Sequence, residues 1–423
     1  MRRIQTVAVI FWGLLVGGSA SGKTVSGDVS ELSAIINANN KAVAAAKAEV
    51  AAAAERRGSL MRSFLPEMGF HGGRKAKHDG GFSLAEPPFI GADVRVNLFR
   101  GGRDGIDDSM REVALRRLTA TVRRVIVTEV EKAASSWWQI AYLKEREALL
   151  RKMIDLNQQN LLAAQRRIKS GVAADSDRFE FEIHKSSLER ELALTSVQSG
   201  AEKRLLRTYL GLDEGVAVDV DSKLSHDHDF ENKVKFDVQQ VEYLFADHAY
   251  KSEEDALMAT ASSREWWPRF DAYIEYEKPA WPDAKDLGDA RQNENGAETT
   301  VGVSVSLNLP AGMEGVRESR AFLARSSAGR LLAEAGKQET LAHLENEIAQ
   351  LRFLHGQVHE AEQNIARAER YYRSTQSEYA RGVKNSPDVL GASQKLFEMH
   401  HDRLEITKNF EVAKSHVLAK ISN

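Results

Sequence analysis

The 65 residues from Ile106 to Ser170 contain neither Gly nor Pro, and this run constrains the fold more than any other feature of the chain. It is rich in Ala, Leu, Arg, Glu, Gln and Lys, all strong helix formers. At 1.5 Å per residue a continuous helix here would be about 98 Å long. Apolar residues recur at threes and fours, as in Leu118, Val122 and Val125, or Val130, Ala133, Trp137 and Ile140. That spacing predicts a helix packed against others along its length.

A second helical run from about Ser176 to Tyr209 follows Gly171, which supplies the turn that folds one helix back on the other. Val316 to Ala380 repeats the theme without Pro, and Gly382 and Pro387 precede a last helix from about Val389 to Ile421. Two helical hairpins are expected. Seven of the eight prolines (Pro66, Pro87, Pro88, Pro268, Pro279, Pro282, Pro310) fall in two non-helical zones, and Pro387 sits at a hairpin tip. Those zones read as strands: Glu67 to Gly73 with Ala92 to Phe99, and Arg269 to Glu277 with Thr300 to Leu309. Val94, Val96 and Leu98 alternate with Arg95 and Asn97, while Val301, Val303, Val305 and Leu307 alternate with Gly302, Ser304 and Ser306.

The halves superpose at a constant offset of 211 positions: Asn97-Leu98 on Asn308-Leu309, Gly171 on Gly382, Asp177 on Asp388. Pro66 and Pro268 lie 202 apart, so the second strand hairpin has nine extra loop residues. Each half therefore reads helix, strand, strand, very long helix, turn, helix. The expected divisions are a signal peptide over 1–20, a first repeat over 21–212 (strand hairpin about 66–100, helical hairpin about 105–210), an equatorial linker over 213–237, and a second repeat over 238–423 (strand hairpin about 268–310, helical hairpin about 315–421). The helix before Pro268, counted from Ala249, reads as about two turns shorter than its counterpart from Asn40 to Pro66.

Arg2 and Arg3, the apolar run Val7 to Val16 and the small residues Gly17 to Ala20 form a secretory signal pattern, too short to span a bilayer. Net charge of −3 and 28% charged residues describe a polar surface without the basic bias of a nucleic-acid binder. With no cysteine, disulfides and thiolate metal sites are excluded. Four strands per chain cannot close a membrane barrel, and open edges in lipid leave unpaired N–H and C=O groups costing several kcal/mol each. Several chains must then share one barrel; three copies give twelve strands, an even number within the range of bacterial barrels.

At the stretch Asn39 to Val43 with Phe64-Leu65-Pro66, at Asn97 to Gly102, and at the tips Ile168 to Asp177 and Tyr379 to Leu390, the sequence resembles the TolC family of outer-membrane efflux proteins. The resemblance implies a mainly α fold with β: two tandem helix-strand-strand-long helix-turn-helix repeats, and a trimeric 12-stranded β-barrel continued by a long α-helical barrel. It implies a homotrimer in the outer membrane of a Gram-negative bacterium, extending into the periplasm. Such a trimer would be the exit duct of a tripartite efflux or type I secretion system for small molecules or proteins. Outer-membrane lipid, a periplasmic adaptor (membrane fusion protein) and an inner-membrane transporter would be its partners. The positions matching the family's periplasmic constriction are Asp177, Tyr379, Lys384 and Asp388, and the adaptor-docking tips are Gly171, Val172, Gly382 and Val383. A departure is Gly391, where the member best known for a double acidic ring carries its second acid.

Asp177 and Asp388 also suit N-caps of the returning helices, and the two roles are compatible. His226-Asp227-His228-Asp229 reads as polar linker rather than a metal site, because adjacent side chains seldom converge, so no metal and no cofactor is expected. Trp137-Trp138 and Trp266-Trp267 read as packing or membrane-interface residues, the second pair better suiting an interface. No phosphate loop, nucleophile elbow or zinc helix motif is present, which argues against an enzyme. The competing readings are a periplasmic adaptor, which predicts one hairpin between compact β-domains, and an exported coiled coil without a pore, which leaves the strand pairs unexplained.

Overall fold

In a computed structural model of the chain, the residues described are 23–25, 28–57, 60–73, 76–79, 82–85, 89–172, 174–216, 218–220, 224, 229–279, 297–307 and 314–422. The expected signal peptide, Asn308-Leu309 and His226 to His228 lie outside them. The first half runs β1 (Lys23–Val25), α1 (Val29–Asn39), α2 (Lys41–Glu55), β2 (Glu67–Gly73), β3 (Ala76–Asp79), β4 (Phe82–Ala85), β5 (Phe89–Arg100), α3 (Arg103–Lys169) and α4 (Asp175–Tyr209). The second runs β6 (Val218–Val220), α5 (Phe230–Lys233), α6 (Val238–Ser263), β7 (Arg269–Pro279), β8 (Glu298–Ser306), α7 (Glu314–Ala380) and α8 (Ser386–Ile421). The two long helices are each 67 residues. Among the described residues no helix is long and apolar enough to cross a membrane.

The chain divides into two compact units, each drawing on both halves. One comprises Ala45–Arg124 and Val241–His343 and holds a four-stranded antiparallel sheet of order β2-β5-β7-β8. The two predicted strand pairs thus join edge to edge through β5 and β7, register-paired from Phe89↔Pro279 to Arg100↔Arg269 with a bulge between Asn97 and Phe99. Buried Asn97 donates from its side-chain nitrogen to the Ser63 carbonyl and to Asp104, both at 3.1 Å. The chain then turns into α3 through Gly101 and Gly102, at φ +65° and +74°, a region that disfavours side chains. A Cβ on Gly101 would lie 2.9 Å from that of Trp267. The small antiparallel β3–β4 pair in the first hairpin was not expected from the sequence.

The other unit comprises Met1–Ala44, Val125–Gln240 and Leu344–Asn423. Here one predicted apolar stripe is buried, Val130, Ala133, Trp137 and Ile140 from α3, alongside Leu396, Leu404 and Phe410 from α8, while Leu118, Val122 and Val125 of the other stripe are half-buried. Trp137 and Trp138 are core residues stacked edge to face at 4.4 Å, with Trp138 donating to Ser415 at 2.9 Å. The linker adds β6, parallel to β1, and Lys144 holds it through Asp219 at 2.8 Å.

One expectation is corrected. The second-half first helix is not shorter: α6 has 26 residues, while its counterpart is broken at Asn40 into 11 and 15. The break is paid for by hydrogen bonds, since the Asn40 side chain accepts from Ala42 N–H at 2.8 Å and donates to the Tyr209 carbonyl at 2.8 Å. Gly211, at φ +68°, lets the Asn39 backbone approach so closely that a Cβ would sit 2.4 Å from its carbonyl oxygen.

Candidate functional site: helical tips and a two-faced sheet

The tips repeat in atomic detail. Gly171 donates to Ile168 O at 2.9 Å and Val172 to Arg167 O at 3.0 Å; 211 positions on, Gly382 donates to Tyr379 O at 3.0 Å and Val383 to Glu378 O at 3.0 Å. Both glycines have positive φ, +73° and +80°. This is the Schellman termination, which satisfies the last carbonyls of a helix and needs a residue tolerant of the left-handed region. It leaves Val172 and Val383 exposed at 60% and 70%, apolar side chains held out at the two turns.

Beneath the turns lies a core of Leu161, Ala164, Phe181, Ala368, Tyr372, Tyr379, Val389, Ala392 and Leu396. Of the predicted constriction residues, Tyr379 belongs to this core, 1% exposed and edge to face with Phe181 at 6.3 Å. Its hydroxyl has no hydrogen bond of ordinary geometry. Burial pushes its pKa up, the Asp177 carboxylate adds to the rise and the Arg167 guanidinium opposes it. Asp177 is therefore brought to Tyr379, while Lys384 and Asp388 form a pair 3.9 Å apart.

Neither aspartate is an N-cap, which corrects that reading. The caps are Ala174 and Asn385, and both aspartates stand at the third helical position. Asp388 still caps in the reciprocal sense, accepting from Asn385 N–H at 3.2 Å in a capping box. Sequence reasoning missed Arg167, which lies 4.1 Å over the Tyr379 ring and donates to the Lys384 carbonyl at 3.3 Å, joining the two tips. It also missed Asn160, buried between Tyr372 at 3.0 Å and Gln376 at 3.1 Å, and the Ser386–Glu180 bond at 2.6 Å. Arg and Asn inside a helical repeat carry no spacing signal, so nothing in the sequence singled them out.

The sheet offers two opposed chemistries. One face carries Met68, Phe70, Ile90, Val94, Ile274, Tyr276, Val301, Val303 and Val305, of which Phe70 is 86% and Val301 72% exposed. The other carries Glu67, His71, Asp93, Arg95, Asp271, Glu275, Glu277, Thr300 and Ser304. Within the described sheet, β2 pairs only with β5 and β8 only with β7, so both outer edges present free backbone donors and acceptors. Exposed Trp266, Trp267, Phe64 and Leu65 stand at the sheet's start, as interface anchors do.

Such a sheet is half-built for lipid. Residues 251–414 match the family model for outer membrane efflux proteins. The fold is TolC-like. Solved channels share its fold across nearly the whole length: CusC (13% identity, TM-score 0.78, covering 94% of this chain and 92% of that one), VceC of Vibrio cholerae (13%, 0.74, 92% and 96%) and MtrE of Neisseria gonorrhoeae in its open state (12%, 0.73, 93% and 89%). No curated protein matches the chain in sequence. The duplicated order of helices and strands is thus the one these channels have, and neither the adaptor nor the pore-free coiled coil gains support.

Proposed function

We propose that the chain is one subunit of an outer-membrane efflux duct, in which three copies close one twelve-stranded barrel by pairing β2 of one copy with β8 of the next. The carrying observation is the four-stranded sheet with one exposed apolar face, one polar face and two unpaired edges. In lipid an unpaired edge is too costly to persist, and closure with copies of itself satisfies every strand without a foreign partner. The apolar face then meets lipid and the polar face lines the pore.

The helical tips supply the periplasmic mouth in this reading. Asp177, Lys384 and Asp388 form the constriction with Tyr379 packed in the core behind them, and the exposed valines beside Gly171 and Gly382 are the surface on which a periplasmic adaptor, itself bound to an inner-membrane transporter, docks. Small molecules or proteins leave through the duct. The test is single-channel recording in a planar bilayer with the mature protein extracted in detergent. Discrete conductance steps are expected, larger in Lys384→Ala and Asp388→Ala; a water-soluble particle with no conductance refutes the duct.

A further inference from the structure

On the polar face of the sheet, His71 from β2 meets three carboxylates. Its Nε2 is 3.4 Å from Glu275 and 3.5 Å from Glu277, both on β7, and its Nδ1 is 3.4 Å from Asp93 on β5. Nε2 is buried yet makes no hydrogen bond. One ligand atom from each of His71, Glu275 and Glu277 lies within 4.8 Å of the other two.

We propose that these residues bind a divalent first-row transition ion of the zinc type, with His71 Nε2, Glu275 and Glu277 as ligands. Tetrahedral ligands about 2.1 Å from an ion stand about 3.4 Å from one another, the spacing found between the imidazole and each carboxylate. Asp93 lies at the other ring nitrogen, where a carboxylate fixes the tautomer of a metal-bound histidine and raises its basicity. Arg95 in turn holds Asp93 at 3.1 Å. An imidazole among the donors favours zinc, copper or nickel over calcium or magnesium.

The register supports the site independently of the distances. His71 and Glu277 belong to strands separated by β5, with Gly91 between them in the row His71, Gly91, Glu277, Glu298. The imidazole crosses over Gly91, where a Cβ would lie 2.6 Å from Nε2. The same row places Glu298 directly opposite Glu277, a like-charge pairing that a bound cation relieves. With three protein ligands the ion keeps an open position, as at sites that exchange ligands rather than closed structural ones. The site is complete within one chain and stands apart from the duct reading.

The test is calorimetric titration of the chelator-treated, tag-free full protein in detergent with Zn²⁺ alone, with Co²⁺ absorption as a second readout of coordination. The wild type is expected to bind one ion per chain with tetrahedral Co²⁺ bands. His71→Ala should lose the site and Asp93→Asn should weaken it roughly 10- to 100-fold. Gly91→Ala, which alters no ligand, should also lose it. Glu277→Gln provides the same test should His71→Ala fail to assemble, and His343→Ala, exposed on α7, should match the wild type. The absence of stoichiometric binding in the wild type, or equal binding in the His71→Ala and Glu277→Gln proteins, overturns the site. Neither result bears on conductance, so the duct is tested separately.

Discussion

The two helical tips have the same turn and different beginnings. Their terminating hydrogen bonds agree to within 0.1 Å at an offset of 211 positions, yet α4 starts on Ala174, which has no side chain able to cap, and α8 starts on an Asn385–Asp388 capping box with Pro387 in its first turn. The turn is a backbone requirement that both halves must meet; the start is where they diverge. At the second tip the acid is engaged by its own helix, whereas at the first Asp177 acts on Tyr379.

The largest test of this contrast removes what the tips share. Tyr379→Ala should cost about 3–5 kcal/mol of local stability, as for other large buried aromatics, read as lost amide protection over both tips in hydrogen exchange. Tyr379→Phe should remain near the wild type, because the hydroxyl makes no ordinary hydrogen bond. Asn160→Ala, which strips hydrogen bonds from buried Tyr372 and half-buried Gln376, should cost about 1–3 kcal/mol. Exchanging the helix starts sharpens the comparison: Asn385→Ala should lose about 1 kcal/mol and Ala174→Asn gain about as much, by denaturant unfolding. The smallest effect is expected of Lys384→Ala, under about 1 kcal/mol since the pair is 3.9 Å apart and solvated.

Alkali provides a graded version of the same test. Burial raises the pKa of Tyr372 and Tyr379 above 10.0. A raised folded-state value means that their stabilising contribution is complete below the unfolded value and is lost as pH climbs through the folded one. Amide protection at the tips should therefore fall above about pH 10, and the fall should be shallower in Tyr379→Phe. An unchanged alkaline profile in that variant would remove Tyr379 from the account.

Much of this was legible beforehand, for stated reasons. Freedom from Gly and Pro marked the first long helix and freedom from Pro the second, paired prolines bounded the strands, and the repeated offset set Gly171 and Gly382 as equivalent turns. What stayed hidden has physical causes as well. The break at Asn40 depends on a carbonyl at Tyr209 far away in sequence, and α6 reads as short only when counted from Ala249, eleven residues after its start at Val238. The roles of Arg167 and Asn160 exist only once two hairpins meet, and the His71 cluster only once β2, β5 and β7 align. An adjacent run such as His226 to Asp229 draws attention in sequence, while convergence across strands leaves no local pattern.

The central claim, closure of one barrel by copies of this chain, is tested most directly at the strand edges. With no native cysteine the background is clean, and Met68 on β2 shares the apolar face with Val301, Val303 and Val305 on β8. Within one chain these edges are separated by two strands, about 14 Å at 4.8 Å per step, too far for a disulfide. Met68→Cys combined in turn with Val301→Cys, Val303→Cys or Val305→Cys, oxidised in outer membranes, should link chains in one register and end at a closed species of three. The absence of interchain linkage in every register, or a ladder running past three, would contradict the account.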